Sequence, residues 1–152
     1  MNAPVTELKD DTALMIRRTF KADIQTLWNA LTDPKALMQW MGANMATPVK
    51  AEADLQVGGK WFIEMKGNET GNPHNVRGEY VEIDEPNRIV FTWNWYSSEA
   101  PPTLVIFSLK DKGDGTTSLT LTHERFLDAD TRTGHSMGWN GSLDNLETLL
   151  AV

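Results

Sequence analysis

From residue 46 to residue 125, apolar and polar side chains alternate with a period of two, which is typical of half-buried strands. Short turn signals divide this stretch, for example Val57-Gly58-Gly59 and Gly113-Asp114-Gly115. Links this short join antiparallel neighbours, because a parallel crossover needs about a dozen residues. The pattern therefore predicts a six-strand meander, with strands at Thr47–Asp54, Lys60–Lys66, Asn75–Asp84, Arg88–Tyr96, Thr103–Lys110 and Thr116–Glu124.

Helical signals flank the meander on the N-terminal side. A strand is predicted at Thr12–Lys21, and Asp23 is suited to cap a helix whose apolar side chains follow at helical spacing from Ile24. Asp33-Pro34 predicts the start of a second short helix, with Asp as the cap and Pro at the first helical position, and Gly42 ends it.

The C-terminal segment, Ala129 to Leu150, predicts a long helix with an apolar stripe that includes Trp139, Leu143 and Leu146. Three glycines within it, at positions 134, 138 and 141, are unusual, because glycine costs about 1 kcal/mol in a helix relative to alanine. Two interpretations follow. Either the helix begins late, near Ser136, or the glycines let its backbone pass close to the sheet and leave room beside it.

One face of the predicted sheet carries large aromatic and sulfur-containing side chains that need a cover. Six tryptophans and seven methionines in 152 residues are difficult to pack without gaps, since an indole is bulky and its N–H needs a partner. The inward rows read from the alternation are Trp61, Ile63 and Met65; Ile89, Phe91, Trp93 and Trp95; Val105, Phe107 and Leu109; and Leu119, Leu121 and His123.

Composition excludes several classes of function. The net charge of −7 argues against binding to nucleic acid or to an anionic membrane surface, and the absence of cysteine excludes disulfides and cysteine metal sites. No apolar run approaches the ~20 residues of a membrane span, and no secretory signal is visible at the N-terminus. We expect a cytoplasmic protein with a flexible polar leader at residues 1–11 and a single domain at residues 12–152, without metal or cofactor.

Motifs for catalysis are weak. Gly134-His135-Ser136-Met137-Gly138 matches the G-x-S-x-G pattern of hydrolases, but no strand precedes the serine and no histidine follows it. Of the three histidines, His74 and His135 are predicted to be exposed, whereas His123 shares the inward face of its strand. No catalytic residue is assigned.

The order of elements resembles the helix-grip fold of the START-like (SRPBCC, birch-pollen-allergen-type) superfamily. Within this superfamily, the amino-acid sequence resembles more specifically the homologues of the C-terminal domain of the heat-shock protein 90 ATPase activator. The likeness spans nearly the whole chain and rests on Asp33–Trp40, Asp54–Met65, Arg77–Ile83 with Pro86 and Arg88–Trp93, Thr117–His123, and Gly138-Trp139 with Leu143 and Leu146. The resemblance implies an α+β fold in which a curved antiparallel sheet wraps around the long C-terminal helix, with a deep cavity between them.

We therefore predict that the protein binds a small hydrophobic, ring-containing or lipid-like molecule in that cavity, because such pockets are lined mainly by aromatic and aliphatic side chains. His123 is predicted to offer the ligand a hydrogen bond, and Trp40 to lie near the mouth. The predicted ligand-binding residues are Trp40, Trp61, Met65, Phe91, Trp93, Phe107, His123 and Trp139.

Two alternatives stay open. The resemblance also implies a co-chaperone-like domain that stimulates a heat-shock ATPase, and its partner would then be a chaperone. As for oligomeric state, a row of exposed tryptophans could form the interface of a homodimer as well as a ligand site. The other alternative is a cyclase- or lyase-type enzyme in which His123, Glu79 or Tyr80 moves protons within the cavity.

Overall fold

The computed structural model describes residues 4–42 and 44–151. Along this part of the chain the elements are β1 (Val5–Asp10), β2 (Ala13–Phe20), α1 (Ile24–Thr32), α2 (Pro34–Trp40), β3 (Ala46–Ala53), β4 (Lys60–Gly67), β5 (Val76–Asp84), β6 (Arg88–Trp95), β7 (Thr103–Asp111), β8 (Thr117–Glu124) and α3 (Ala129–Leu150).

The strands form one antiparallel sheet in the order β1-β2-β8-β7-β6-β5-β4-β3. The meander predicted from β3 to β8 is confirmed, and its strand ends agree with the predicted ones to within two residues. The tertiary structure adds the pairing of β2 with β8, which places the first predicted strand beside the last. The α+β helix-grip fold is confirmed.

Strand β1 lies within residues 1–11, for which the sequence predicts a flexible polar leader. All six of its residues are exposed, so it has no apolar face for a pattern to reveal. It pairs with β2 through the backbone, with Val5 opposite Arg17 and Asp10 opposite Ala13. An edge strand held mainly by backbone hydrogen bonds leaves little trace in hydrophobic periodicity.

Both predicted caps of the short helices are confirmed. The Asp23 carboxylate accepts from the Thr26 backbone N–H at 2.8 Å, and the Asp33 carboxylate accepts from the Lys35 N–H at 3.0 Å. After α2, Gly42 has a φ of +98°, and a Cβ there would lie 2.2 Å from the Ala46 carbonyl oxygen. Only glycine fits this turn without a shift of the backbone.

Helix α3 begins at Ala129, because the Asp128 carboxylate caps it by accepting from the Thr131 N–H at 2.7 Å. The late start near Ser136 is therefore wrong, and Gly134 and Gly138 lie inside the helix. Its stripe of Trp139, Leu143 and Leu146 is buried against the sheet. Within the described residues, no helix is both long enough and apolar enough to cross a membrane.

A buried arginine joins α3 to the sheet. Arg18 of β2 is 6% exposed, and its guanidinium contacts the Asp144 carboxylate at 2.6 Å and the Asn140 side-chain and backbone oxygens at 3.0 and 3.1 Å. Such paired contacts hold the helix in one orientation relative to the strands. Elsewhere on α3, the Trp139 ring centroid lies 5.0 Å from that of Trp93 in β6.

Candidate functional site

A cavity of about 360 Å³ lies between the sheet and α3, and we call it the main cavity. The exposed members of its lining, among them Met45, Ser97 and Gly134, mark its opening to solvent. The complete lining is Met41, Gly42, Met45, Met65, His74, Trp93, Trp95, Ser97, Thr131, Gly134, His135, Gly138, Trp139 and Ser142.

The walls of the main cavity are mainly apolar and carry no formal charge. Three methionines and three tryptophans are among the lining residues, and none of the described lining residues is Asp, Glu, Lys or Arg. In the described part of the chain, no group of three or more histidine, aspartate or glutamate side chains is placed to hold a metal ion. A cavity of this size and composition suits a small apolar molecule.

Glycines on α3 provide the space on the helix side. A Cβ built at Gly134 or at Gly138 would meet no atom within 4 Å, although both residues line the cavity. The second interpretation is that the glycines let the backbone pass close to the sheet and leave room beside it. The room agrees with this geometry, but no atom lies close to Gly134 or Gly138 that would require a glycine there. Side chains at either position would project into open space.

Trp93 stands at the centre of the aromatic cluster beneath the main cavity. Its ring centroid lies 5.0 Å from that of Trp139, 5.5 Å from that of Trp95 and 5.6 Å from that of Trp61. These separations are those of favourable aromatic pairs. Trp93 is 6% exposed, and its indole N–H has no acceptor in the described part of the protein.

His135 is held in one tautomer by its two partners. The Trp95 indole donates to Nε2 of His135 at 2.8 Å, so that nitrogen carries a lone pair. The proton then lies on Nδ1, which donates to the Thr131 carbonyl one helical turn earlier at 2.8 Å. Burial lowers the pKa of His135, which agrees with a neutral ring.

His123, which is fully buried, is also held in one tautomer by two partners. The Trp139 indole donates to its Nδ1 at 2.9 Å, and Nε2 lies 2.6 Å from the Thr103 hydroxyl. Because an indole only donates, the proton must lie on Nε2, which donates to Thr103, and that hydroxyl donates to the Trp93 carbonyl at 3.1 Å. Burial lowers the pKa of His123 well below its ordinary value, and nearby His135 adds to the effect.

Two smaller cavities adjoin the main one. The inner cavity, of about 30 Å³, lies towards α2 and shares Met41, Trp93 and Trp139 with the main cavity. The side cavity, of about 180 Å³, lies near the start of α3 and shares Trp93, Trp95, Thr131 and His135 with it. The hydrogen-bonded pair of Trp95 and His135 thus borders both the main cavity and the side cavity.

The predicted ligand-binding residues divide between these spaces. Met65, Trp93 and Trp139 line the main cavity. Trp40, Trp61, Phe91 and Phe107 line the inner cavity instead. Trp40 was expected near the mouth, but it is fully buried, with its indole donating to the Ala30 carbonyl at 2.9 Å.

His123 lies behind Trp139, where both of its ring nitrogens are already bonded to protein groups. Glu79 and Tyr80, the two other residues predicted to move protons in an enzyme, are no better suited to proton transfer in the cavity. Glu79 is exposed, and burial raises the pKa of Tyr80 to about 12, so that its phenol stays protonated at neutral pH.

Sequence reasoning missed several residues of the main cavity. His74 and His135 were expected to be exposed, but both are half-buried, with the His74 ring 4.4 Å from that of Trp95. A signal for His135 was present: it lies four residues before Trp139, on the same helical face. The loop residues Met45 and Ser97 had no such signal, because only the tertiary structure brings them to the opening.

Comparisons with known proteins agree with this architecture. A sequence model for the family described as "Activator of Hsp90 ATPase homolog 1-like protein" matches residues 21–151. No curated protein matches the chain in a sequence search.

Solved structures are similar over nearly the full chain. An HSP90 activator from Plasmodium falciparum is 26% identical, with 92% of this chain and 96% of that chain covered and a TM-score of 0.73. An AHSA1 protein from Silicibacter pomeroyi is 27% identical, with 91% and 97% covered and a TM-score of 0.79. A protein from Rhodobacter sphaeroides has the same fold, at 22% identity, 98% coverage of both chains and a TM-score of 0.82.

Proposed function

We propose that this chain, which belongs to the family of Activator of Hsp90 ATPase homolog 1-like proteins, binds a small apolar, ring-containing molecule in the main cavity. The observation that carries the proposal is a 360 Å³ space with uncharged aromatic and methionine walls. Ligand pockets for such molecules have this size and chemistry. No catalytic step is part of the proposal.

The positions of the polar groups support binding rather than proton transfer. His123 and His135 are both neutral hydrogen-bond acceptors for indoles, and each uses its second nitrogen to donate to another protein group. In this arrangement their role is to fix the orientation of Trp139 and Trp95. Fixed aromatic rings present a preformed surface, which reduces the entropy lost on binding.

A cavity-filling variant tests the proposal directly. N-phenyl-1-naphthylamine, an uncharged probe that fluoresces in apolar surroundings, is titrated into the protein. We expect saturable binding at one site with a Kd of about 1 to 100 μM. Gly138→Leu places a side chain in the space that the ligand needs, and we expect it to raise the Kd about tenfold or more.

Gly138→Ala is the matched control, since it makes the same change to the helix backbone but fills much less space. Equal affinity of wild type and Gly138→Leu would show that the probe binds elsewhere. Absence of binding by a broad panel of uncharged ring compounds would contradict the proposal as a whole.

A second candidate function is stimulation of a heat-shock ATPase. The family match and the likeness to the P. falciparum HSP90 activator favour it. We expect ATP hydrolysis by a purified Hsp90 to rise on addition of this protein; an unchanged rate argues against this function. Stimulation that survives Gly138→Leu would show that the chaperone effect does not depend on the main cavity.

A further inference from the structure

We propose that the main cavity selects uncharged ring compounds that carry a hydroxyl group, and that the imidazole of His74 binds this hydroxyl. This inference rests on the proposed binding function and adds the chemical class of the ligand and the residue that recognises it. It depends on which polar side chains of the lining already have a partner, and on which of the others a ligand can reach.

Several polar side chains of the lining are already paired. The indole N–H groups of Trp95 and Trp139 donate to imidazole nitrogens, and His135 donates its own N–H to the Thr131 carbonyl. Hydrogen bonds from the Thr131 backbone and side chain lower the pKa of the Asp128 carboxyl, so the Thr131 hydroxyl has a partner as well. None of these groups has a hydrogen bond to spare for a ligand.

Four other polar side chains of the lining have no hydrogen-bond partner among the described residues, and they differ in access. The protein encloses the Trp93 indole nitrogen, so a ligand in the cavity has no route to it. The polar atoms of His74 and Ser142 are not enclosed in this way, and Ser97 is exposed. A bound ligand can therefore meet three unpaired groups, one imidazole and two hydroxyls.

The two serine hydroxyls gain little from a ligand. Ser97 lies at the opening, where its hydroxyl can bond to solvent, so exchanging that bond for one to a ligand is nearly neutral. Ser142 lies inside α3, and rotation of its side chain brings the hydroxyl towards the Gly138 carbonyl one turn earlier. Thr148 makes this kind of bond to the Asp144 carbonyl at 3.2 Å.

His74 is held in place and has no such alternative. Its backbone N–H donates to the Met65 carbonyl at 2.9 Å, and its ring centroid lies 4.4 Å from that of Trp95. The side chain is half-buried, and burial lowers the pKa of His74. At neutral pH the ring therefore carries one N–H donor and one acceptor nitrogen.

A hydroxyl suits this ring better than other polar groups. It can donate to the acceptor nitrogen or accept from the N–H, so it pairs with either nitrogen of the ring, whereas a carbonyl pairs with the N–H alone. None of the described lining residues carries a formal charge. An ionised ligand group of either sign would therefore lose hydration in the cavity without gaining a counter-charge.

The experiment compares 2-naphthol with naphthalene, which share two fused rings and differ by one hydroxyl. Affinities are measured by equilibrium dialysis for wild type, His74→Phe and Ser142→Ala. His74→Phe keeps an aromatic ring beside Trp95 but has no polar atom, and Ser142→Ala removes the unpaired hydroxyl on α3.

In a cavity without a polar partner, naphthalene should bind more tightly, because the hydroxyl must give up its hydrogen bonds to water. We expect wild type and Ser142→Ala to prefer 2-naphthol by about three- to tenfold, and His74→Phe to lose this preference.

Each result has a distinct meaning. If wild type binds both compounds but does not prefer 2-naphthol, the hydroxyl assignment is wrong while the proposed function stands. A preference that His74→Phe keeps, or that Ser142→Ala loses, overturns the assignment to His74. If neither compound binds to wild type, this inference fails, and the titration with N-phenyl-1-naphthylamine shows separately whether the proposed function fails too.

A second measurement covers the case in which His74→Phe does not fold. Wild type labelled with nitrogen-15 in its histidines is studied by NMR. Addition of 2-naphthol should shift the ring-nitrogen resonances of His74 more than naphthalene does, because a hydrogen bond changes the shielding of the nitrogen that makes it. Equal shifts with both compounds would overturn the assignment without any variant.

Discussion

The two ends of the aromatic cluster have similar side chains but different neighbours. At the inner end, Leu37 and Trp40 of α2 and Trp61 of β4 are buried, and the space that they line is only about 30 Å³. At the outer end, α3 presents Gly134 and Gly138 to Trp93, and about 360 Å³ is left. The comparison shows that the cavity results from what covers the sheet, since the sheet face is equally aromatic at both ends.

The largest difference between the ends should appear in stability. Trp40→Ala removes a fully buried indole from the packed inner end and should lower the free energy of unfolding by about 3–5 kcal/mol. Trp95→Ala at the open end removes a half-buried ring, and we expect a loss of roughly 1–2 kcal/mol. Urea unfolding monitored by circular dichroism measures both; equal losses would mean that the outer end is as tightly packed as the inner end.

The second-largest effect should be a loss of stability at acidic pH, caused by the histidines at the outer end. Burial lowers the folded-state pKa of His74, His123 and His135, so below about pH 6.5 the unfolded chain binds more protons than the folded one. The contribution of these neutral histidines to the free energy of unfolding is therefore fully present above pH 6.5. It is lost as the pH decreases towards their folded-state pKa values. For fully buried His123 we expect a loss of up to about 2 kcal/mol between pH 7 and pH 5.

Variants assign this pH dependence. His123→Asn keeps an acceptor for the Trp139 indole but does not titrate, so the slope of stability against pH should become shallower. His74→Asn should change the slope less, because His74 is only half-buried. A wild-type profile that is flat from pH 7 to pH 5 would contradict the neutral state inferred for these rings.

The smallest expected effect is a gain. Gly138→Ala should stabilise the fold by about 0.5–1 kcal/mol, because alanine is a better helix former and its Cβ meets no atom within 4 Å. Thermal and urea unfolding check this. A loss of stability would show that the space beside Gly138 is smaller than described, and that the contrast between the two ends is weaker.

Prediction from sequence succeeded where a pattern is local. Alternation located the strands from β3 to β8, and the caps Asp23 and Asp33 located α1 and α2, because a strand face or a helix start depends on residues a few positions apart. It missed β1, whose exposed side chains carry no apolar face. For the candidate site it identified Met65, Trp93 and Trp139, which line the main cavity, but placed Trp40 at the mouth.

The sequence by itself determined which side chains share the inner face of the sheet, since alternation along a strand allows only one set to point inward. The tertiary structure alone decided which of these side chains are covered by protein and which border open space. That outcome depends on where Gly134 and Gly138 of α3 come to lie opposite Trp93, far from them in the chain. It also decided that His123 and His135 act as acceptors for indoles, because a hydrogen bond needs a partner that only folding brings within reach.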